Sequence, residues 1–129
     1  MQPQPEHSVT QLLANWNKAL PHIRAALKYC GDTHTPAHVW AMIRTGAASL
    51  YTSENSAVVT QVLDMPNGKQ LHYWLAGGDL KELKQLEKTI TANAKAQGIK
   101  KVSLIGRAGW VKELPGFNDA GRVLIKEIK

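Results

Sequence analysis

The sequence predicts a mixed α/β (α+β) domain, and three observations carry that reading. Apolar residues at helical spacing open the chain, three short runs of strand character joined by tight turns follow, and a strongly amphipathic helix separates the third run from a fourth. The connections between the first three runs are too short to cross over a sheet, so these strands should form an antiparallel meander. The long helical connection before the fourth strand, 101–105, predicts that it lies parallel beside 70–75.

Taken in order, residues 1–7 read as a loose tail, with Pro3 and Pro5 among glutamines, and residues 8–129 as one domain. Ser8 with Gln11 resembles a capping box, and Val9, Leu12, Leu13, Trp16, Leu20, Ile23 and Leu27 keep helical spacing. Pro21 interrupts that run and predicts a kink or two abutting helices, with Gly31 as the stop. Thr35-Pro36 is a second start signal, a cap followed by a residue preset for the helix. Val39, Met42 and Ile43 make its apolar stripe as far as Gly46.

The period then changes. Residues 47–52, 56–63 and 70–75 read as strands, separated by Ser53-Glu54-Asn55 and by a turn around Pro66-Asn67-Gly68. Strict alternation would put Leu71, Tyr73 and Leu75 on one face and His72 with Trp74 on the other. Asp79 then caps the clearest helix, with Glu82 placed as its capping-box partner and Gly98 as the terminator. Leu80, Leu83, Leu86, Ile90 and Ala94 form the inward stripe, and Lys81, Lys84, Lys88 and Lys95 the opposite side. The stretch Gly98–Phe117 reads as a buried strand, a turn, a short helix around Trp110, Val111 and Leu114, and a stop at Pro115-Gly116. Gly121–Ile128 reads as a last strand.

The totals bound the function. A chain of 129 residues, 43% hydrophobic and 20% charged, can bury one core and is not of disordered composition. No apolar run approaches the roughly 20 residues that span a bilayer, and the N-terminus has no basic flank or apolar segment of a secretory signal. Cys30 is the only cysteine, which excludes an internal disulfide and fits a reducing cytoplasm. The net charge of +6 admits a polyanion partner, but 12 Lys against 4 Arg, without interleaved aromatics, reads as a solvated basic surface, and nucleic acid is not expected.

The element order, with Trp110-Val111-Lys112-Glu113-Leu114-Pro115-Gly116-Phe117 after the fourth strand, resembles the Gcn5-related N-acetyltransferase (GNAT) fold. In that family two helices precede an antiparallel meander, and a central helix, a parallel strand, a short helix and a closing strand follow. Gly106, Arg107, Gly109 and Trp110 make the ending also similar to small acetyltransferase-like proteins encoded by bacteriophages. The resemblance implies acetyl-coenzyme A as cofactor, an amine as acceptor, and a thioester held between 70–75 and 101–105. The backbone at Leu75, Ala76, Gly77 and Gly78 would then hold the coenzyme. It also implies a host-cytoplasmic or virion location, with either an amine substrate or a protein partner.

The chain departs from that family where the coenzyme should bind. The family's diphosphate loop has Arg or Gln, two spacers, Gly, a spacer, then Gly or Ala; here Gly77 and Gly78 run straight into Asp79. A carboxylate at a helix N-terminus repels a diphosphate and competes for the same amides, so weak coenzyme A binding or none is expected. The short-helix tyrosine that acts as acid in the family falls near Val111, which has no proton to give.

The remaining candidates are few. His72, beside Trp74, has the pKa range of a base, although a sheet histidine with a local hydrogen bond is the plainer reading. Glu54 and Asp64, near the ends of the middle strand, are carboxylates that could orient an amine, or serve turns. His22, His34 and His38 make no ligand pattern, because Pro36 separates the last two, and no metal is expected. Arg107 is a candidate anion contact or a structural ion-pair partner. Trp16, Trp40, Trp74 and Trp110 read as core anchors, and Cys30 as a small buried residue.

Overall fold

The structure is a computed structural model that describes residues 9–29, 33–104 and 126. Its elements are α1 (Val9–Tyr29), α2 (Pro36–Thr45), β1 (Ser49–Ser53), β2 (Ser56–Met65), β3 (Gly68–Gly78), α3 (Leu80–Ala96) and β4 (Lys101–Leu104). The Ser8 cap, Cys30, Gly31, the tail 1–7, the passage from 105 through Arg107, Trp110 and Val111 to Phe117, and all of the expected closing strand except Lys126 lie outside the described residues.

The four strands form one mixed sheet in the order β1-β2-β3-β4, with β1–β2 and β2–β3 antiparallel and β3–β4 parallel. This is the expected meander with the expected parallel neighbour. The pairing follows from loop length: two-residue turns at 54–55 and 66–67 reverse the chain, whereas α3 carries it back to start β4 beside β3.

Two cores sandwich the sheet. Trp16, Ala19, Ile23, Ala26 and Leu27 of α1, with Val39 and Ile43 of α2, cover Leu50, Ala57, Val59 and Leu75 on one face. Ile90 and Ala94 of α3, with Ile99, cover Tyr51, Val58, Leu71 and Tyr73 on the other. Burying such side chains contributes roughly 1.5–3 kcal/mol each, the main favourable term for a domain of this size.

The helix ends follow local chemistry. Thr35 caps α2 with Pro36 in the first position, and His38 completes the box: Thr35 N–H donates to His38 Nδ1 at 3.0 Å, and His38 N–H donates to Thr35 Oγ1 at 3.3 Å. At the end of α3, Gly98 takes φ +80° while its N–H reaches Lys95 O and that of Ile99 reaches Ala94 O, a Schellman closure.

Three expectations need correction. Of the two outcomes expected at Pro21, the abutting pair does not occur: α1 runs as one helix from Val9 to Tyr29 with Pro21 inside it. Both Pro21 and Asn17 are exposed, which puts the proline and the carbonyl that loses its intrahelical donor on the outer side of the helix. Leu13 and Leu80 are exposed, 45% and 39%, because each lies at the margin of its helix's apolar face. Strands β2 and β3 extend further than their apolar runs, since main-chain pairing continues to the Met65–Gly68 turn and to Gly78.

Candidate functional site

Strand β3 carries His72, Leu75, Ala76, Gly77 and Gly78, and its geometry is set by a bulge. Val59 pairs with Leu75, but the next residue, Thr60, pairs with Tyr73, which leaves Trp74 as an extra residue on β3. One inserted residue reverses the alternation. Leu71 and Tyr73 therefore face α3, whereas Leu75 joins Val59 in the core under α1 and α2. The expectation that Leu71, Tyr73 and Leu75 share a face is overturned by that residue.

His72 sits between Gln61 of β2 and Ser103 of β4. Its Nδ1 lies 2.9 Å from the Ser103 hydroxyl, and burial pushes its pKa below 6.5, which favours the neutral imidazole. Two positions on, Trp74 packs edge-on against His34 of the α1–α2 connection, with ring centroids 4.9 Å apart. Trp16 and Trp40 stack nearby at 5.3 Å. Ser103 was not legible as a partner, because only the β3–β4 register brings it opposite His72.

On the other face, the Tyr73 hydroxyl lies 3.1 Å from Thr91 Oγ1, which donates to Glu87 Oε2 at 2.6 Å. Burial is the main reason that the phenol's pKa is pushed up to about 12. Val58, Tyr73, Ala76, Leu83, Glu87 and Leu104 line an apolar cavity of about 30 Å³, room for a water or two.

The two carboxylate candidates do not converge. Glu54 is exposed in the β1–β2 turn, and Asp64 is exposed opposite Lys69 near the far end of β2. Strand geometry separates them by about 30 Å, and His72 lies between them on the neighbouring strand.

The glycines before α3 are there for close approach. A Cβ on Gly77 would stand 3.0 Å from His22 O of α1, and one on Gly78, at φ +121°, would collide with Asn55 O. Gly77 pairs with Ala57 and Gly78 with Ser56. Asp79 caps α3 as expected, its Oδ1 accepting Glu82 N–H at 3.2 Å. Glu82, however, does not close a capping box. The Asp79 N–H is already bonded to Asn55 O and Ser56 Oγ, so the Glu82 carboxylate turns to the β1–β2 turn. There Oε1 accepts Asn55 N–H at 2.7 Å, and Oε2 accepts from Asn55 Nδ2 at 3.3 Å. The Asn55 N–H, with help from the Ser53, Asn55 and Ser56 side chains, holds this carboxyl below the usual carboxylate range. The N-terminus of α3 thus carries two carboxylates of its own.

No protein-family model matches the chain, and no curated protein does. The fold is similar to solved structures. A tetramutant of the BH1408 protein from Bacillus halodurans aligns over 96% of this chain and 98% of that one, at 14% identity and a TM-score of 0.63. The TTHA1254 protein from Thermus thermophilus aligns over 73% of this chain and 79% of that one, at 19% identity and a TM-score of 0.52. A point mutant of that protein gives 18% identity and 0.54 over 74% and 81%. At these identities the likeness is one of fold. Among the described residues no helix is long and apolar enough to cross a membrane.

Proposed function

We propose that this protein is a GNAT-like scaffold that has lost coenzyme chemistry and acts by binding another protein, in a virion or on a host target. The observation that carries this reading is the pair of carboxylates, Asp79 and Glu82, in the first turn of α3. An anion site needs free backbone N–H groups and no competing negative charge. Here Asp79 Oδ1 already takes the Glu82 N–H, and the Asp79 N–H is spent on Asn55 and Ser56. On this reading Asp79 takes the place of the family's diphosphate loop, and its carboxylate, with that of Glu82 one turn on, would repel an anion brought close. The order of two helices, a meander, a central helix and a parallel strand supports the GNAT-like part of the reading.

The enzyme reading, an acetyl-coenzyme A-dependent N-acetyltransferase with His72 as base for an amine, has one observation in its favour. Strand β3 runs on to Gly78, and its Tyr73 and Ala76 line the apolar cavity with Leu83 and Glu87 of α3. Calorimetry of the full chain with acetyl-coenzyme A separates the two. The scaffold reading expects no saturable heat; a dissociation constant in the low micromolar range would overturn it.

A further inference from the structure

The chain has a single Asn-Gly step, Asn67-Gly68, and it lies at the tip of the β2–β3 hairpin. Pro66, Asn67 and Gly68 are all exposed. Gly68 has φ +123°, and outside its chain neighbours nothing lies within 4 Å of where a Cβ would stand, so no side chain crowds the Asn67-Gly68 step, and its ladder pair with Met65 is the last one of the hairpin.

We propose that Asn67 is a site of spontaneous deamidation and isoaspartate formation. The Gly68 backbone nitrogen, having given its proton to solvent base, attacks Asn67 Cγ. The Cγ–Nδ2 bond breaks and the nitrogen leaves as ammonia, which closes a succinimide. Water then opens the ring at either carbonyl, giving aspartate or isoaspartate. One ammonia leaves, one water enters, and no redox partner is needed.

The structure separates this asparagine from the others it describes. Asn55 is followed by Ser56, which is buried, carries a Cβ and pairs with Gly78. Its own carboxamide and N–H are held by Glu82. Asn15, Asn17 and Asn93 lie inside α1 and α3, where the following N–H belongs to a helical ladder.

The product alters the hairpin in two ways. A new carboxylate lowers the formal charge from +6 by one, three residues from Asp64. Isoaspartate also routes the main chain through the former side-chain methylene, so the two-residue connection between Met65 and Gly68 gains a backbone atom. The Met65–Gly68 and Asp64–Lys69 pairs then lose their register, while the ladder towards Ser56–Gly78 stays intact.

The test holds the full chain folded at mildly alkaline pH, beside the same chain in urea, and maps tryptic fragments by mass spectrometry. Cleavage after Arg44 and Lys69 leaves Asn55 and Asn67 in one fragment, so each reports on the other. Asn67 should convert in the folded chain, with isoaspartate detected by isoaspartyl methyltransferase labelling. Asn55 should be slowed at least about tenfold relative to urea, the protection that about 1.4 kcal/mol of local opening imposes. Asn67→Gln should abolish the acidic species on ion exchange. Intact Asn67 in the folded chain while the urea sample converts, equal rates at Asn55 and Asn67, or an acidic species that survives in Asn67→Gln would each overturn the proposal.

Discussion

Gly78 and Ser56 face each other across the β2–β3 ladder with no room for a methyl group between them: a Cβ on Gly78 would stand 2.6 Å from Ser56 Cα. The same approach lets the Asp79 N–H reach the Ser56 hydroxyl at 3.1 Å and so fixes where α3 begins.

Gly78→Ala should therefore cost both backbone strain, from φ +121°, and displacement of the β1–β2 turn. The sum is roughly 2–4 kcal/mol. Gly68→Ala meets the same kind of φ, +123°, with open space around it, and should cost only about 1–2 kcal/mol. Urea unfolding of the two variants checks the difference; equal losses would mean that the Gly78 contact carries nothing beyond φ.

Glu82 predicts a pH dependence. Its carboxyl is held below the ordinary 4.5, chiefly by the Asn55 N–H, so the folded state binds its proton less readily than the unfolded chain. The stabilisation is present above the unfolded value and is lost as pH falls through the lower folded value. Glu82→Gln should flatten that part of the acid limb when urea midpoints are compared at neutral and acidic pH. An unchanged acid limb would show that the link to Asn55 contributes no proton linkage.

Lys81, Lys88 and Lys95 are exposed along α3, whereas Lys84 is half-buried. Changing the three exposed lysines to Gln should leave stability within about 0.5 kcal/mol. The parent should show no submicromolar binding to a short labelled duplex at physiological salt. Salt-steep binding, with roughly one log unit of slope per phosphate contact, that disappears in the triple variant would make this face a polyanion site.

Much of the chain was legible residue by residue. Thr35-Pro36, Asp79 and Gly98 act through their own backbone angles and nearest neighbours, and each ends its helix where its chemistry says. Loop length alone separated the antiparallel meander from the parallel fourth strand. Candidate site residues were legible as types, without their partners.

What tertiary structure alone decided is parity and proximity. The extra residue at Trp74 moves Leu75 from the face of Leu71 and Tyr73 to the opposite core, and no local propensity marks it, because a bulge is a mismatch between two strands. The β3–β4 register sets Ser103 against His72, and the packing of Gly78 on the β1–β2 turn draws Glu82 away from its own helix cap to Asn55, 27 residues earlier. Helix caps, turns and strand direction depend on interactions a few residues long, which the sequence determines by itself. The face a side chain takes and the group it meets depend on how distant segments count off against one another, and that is settled only when the sheet and its two helical layers pack.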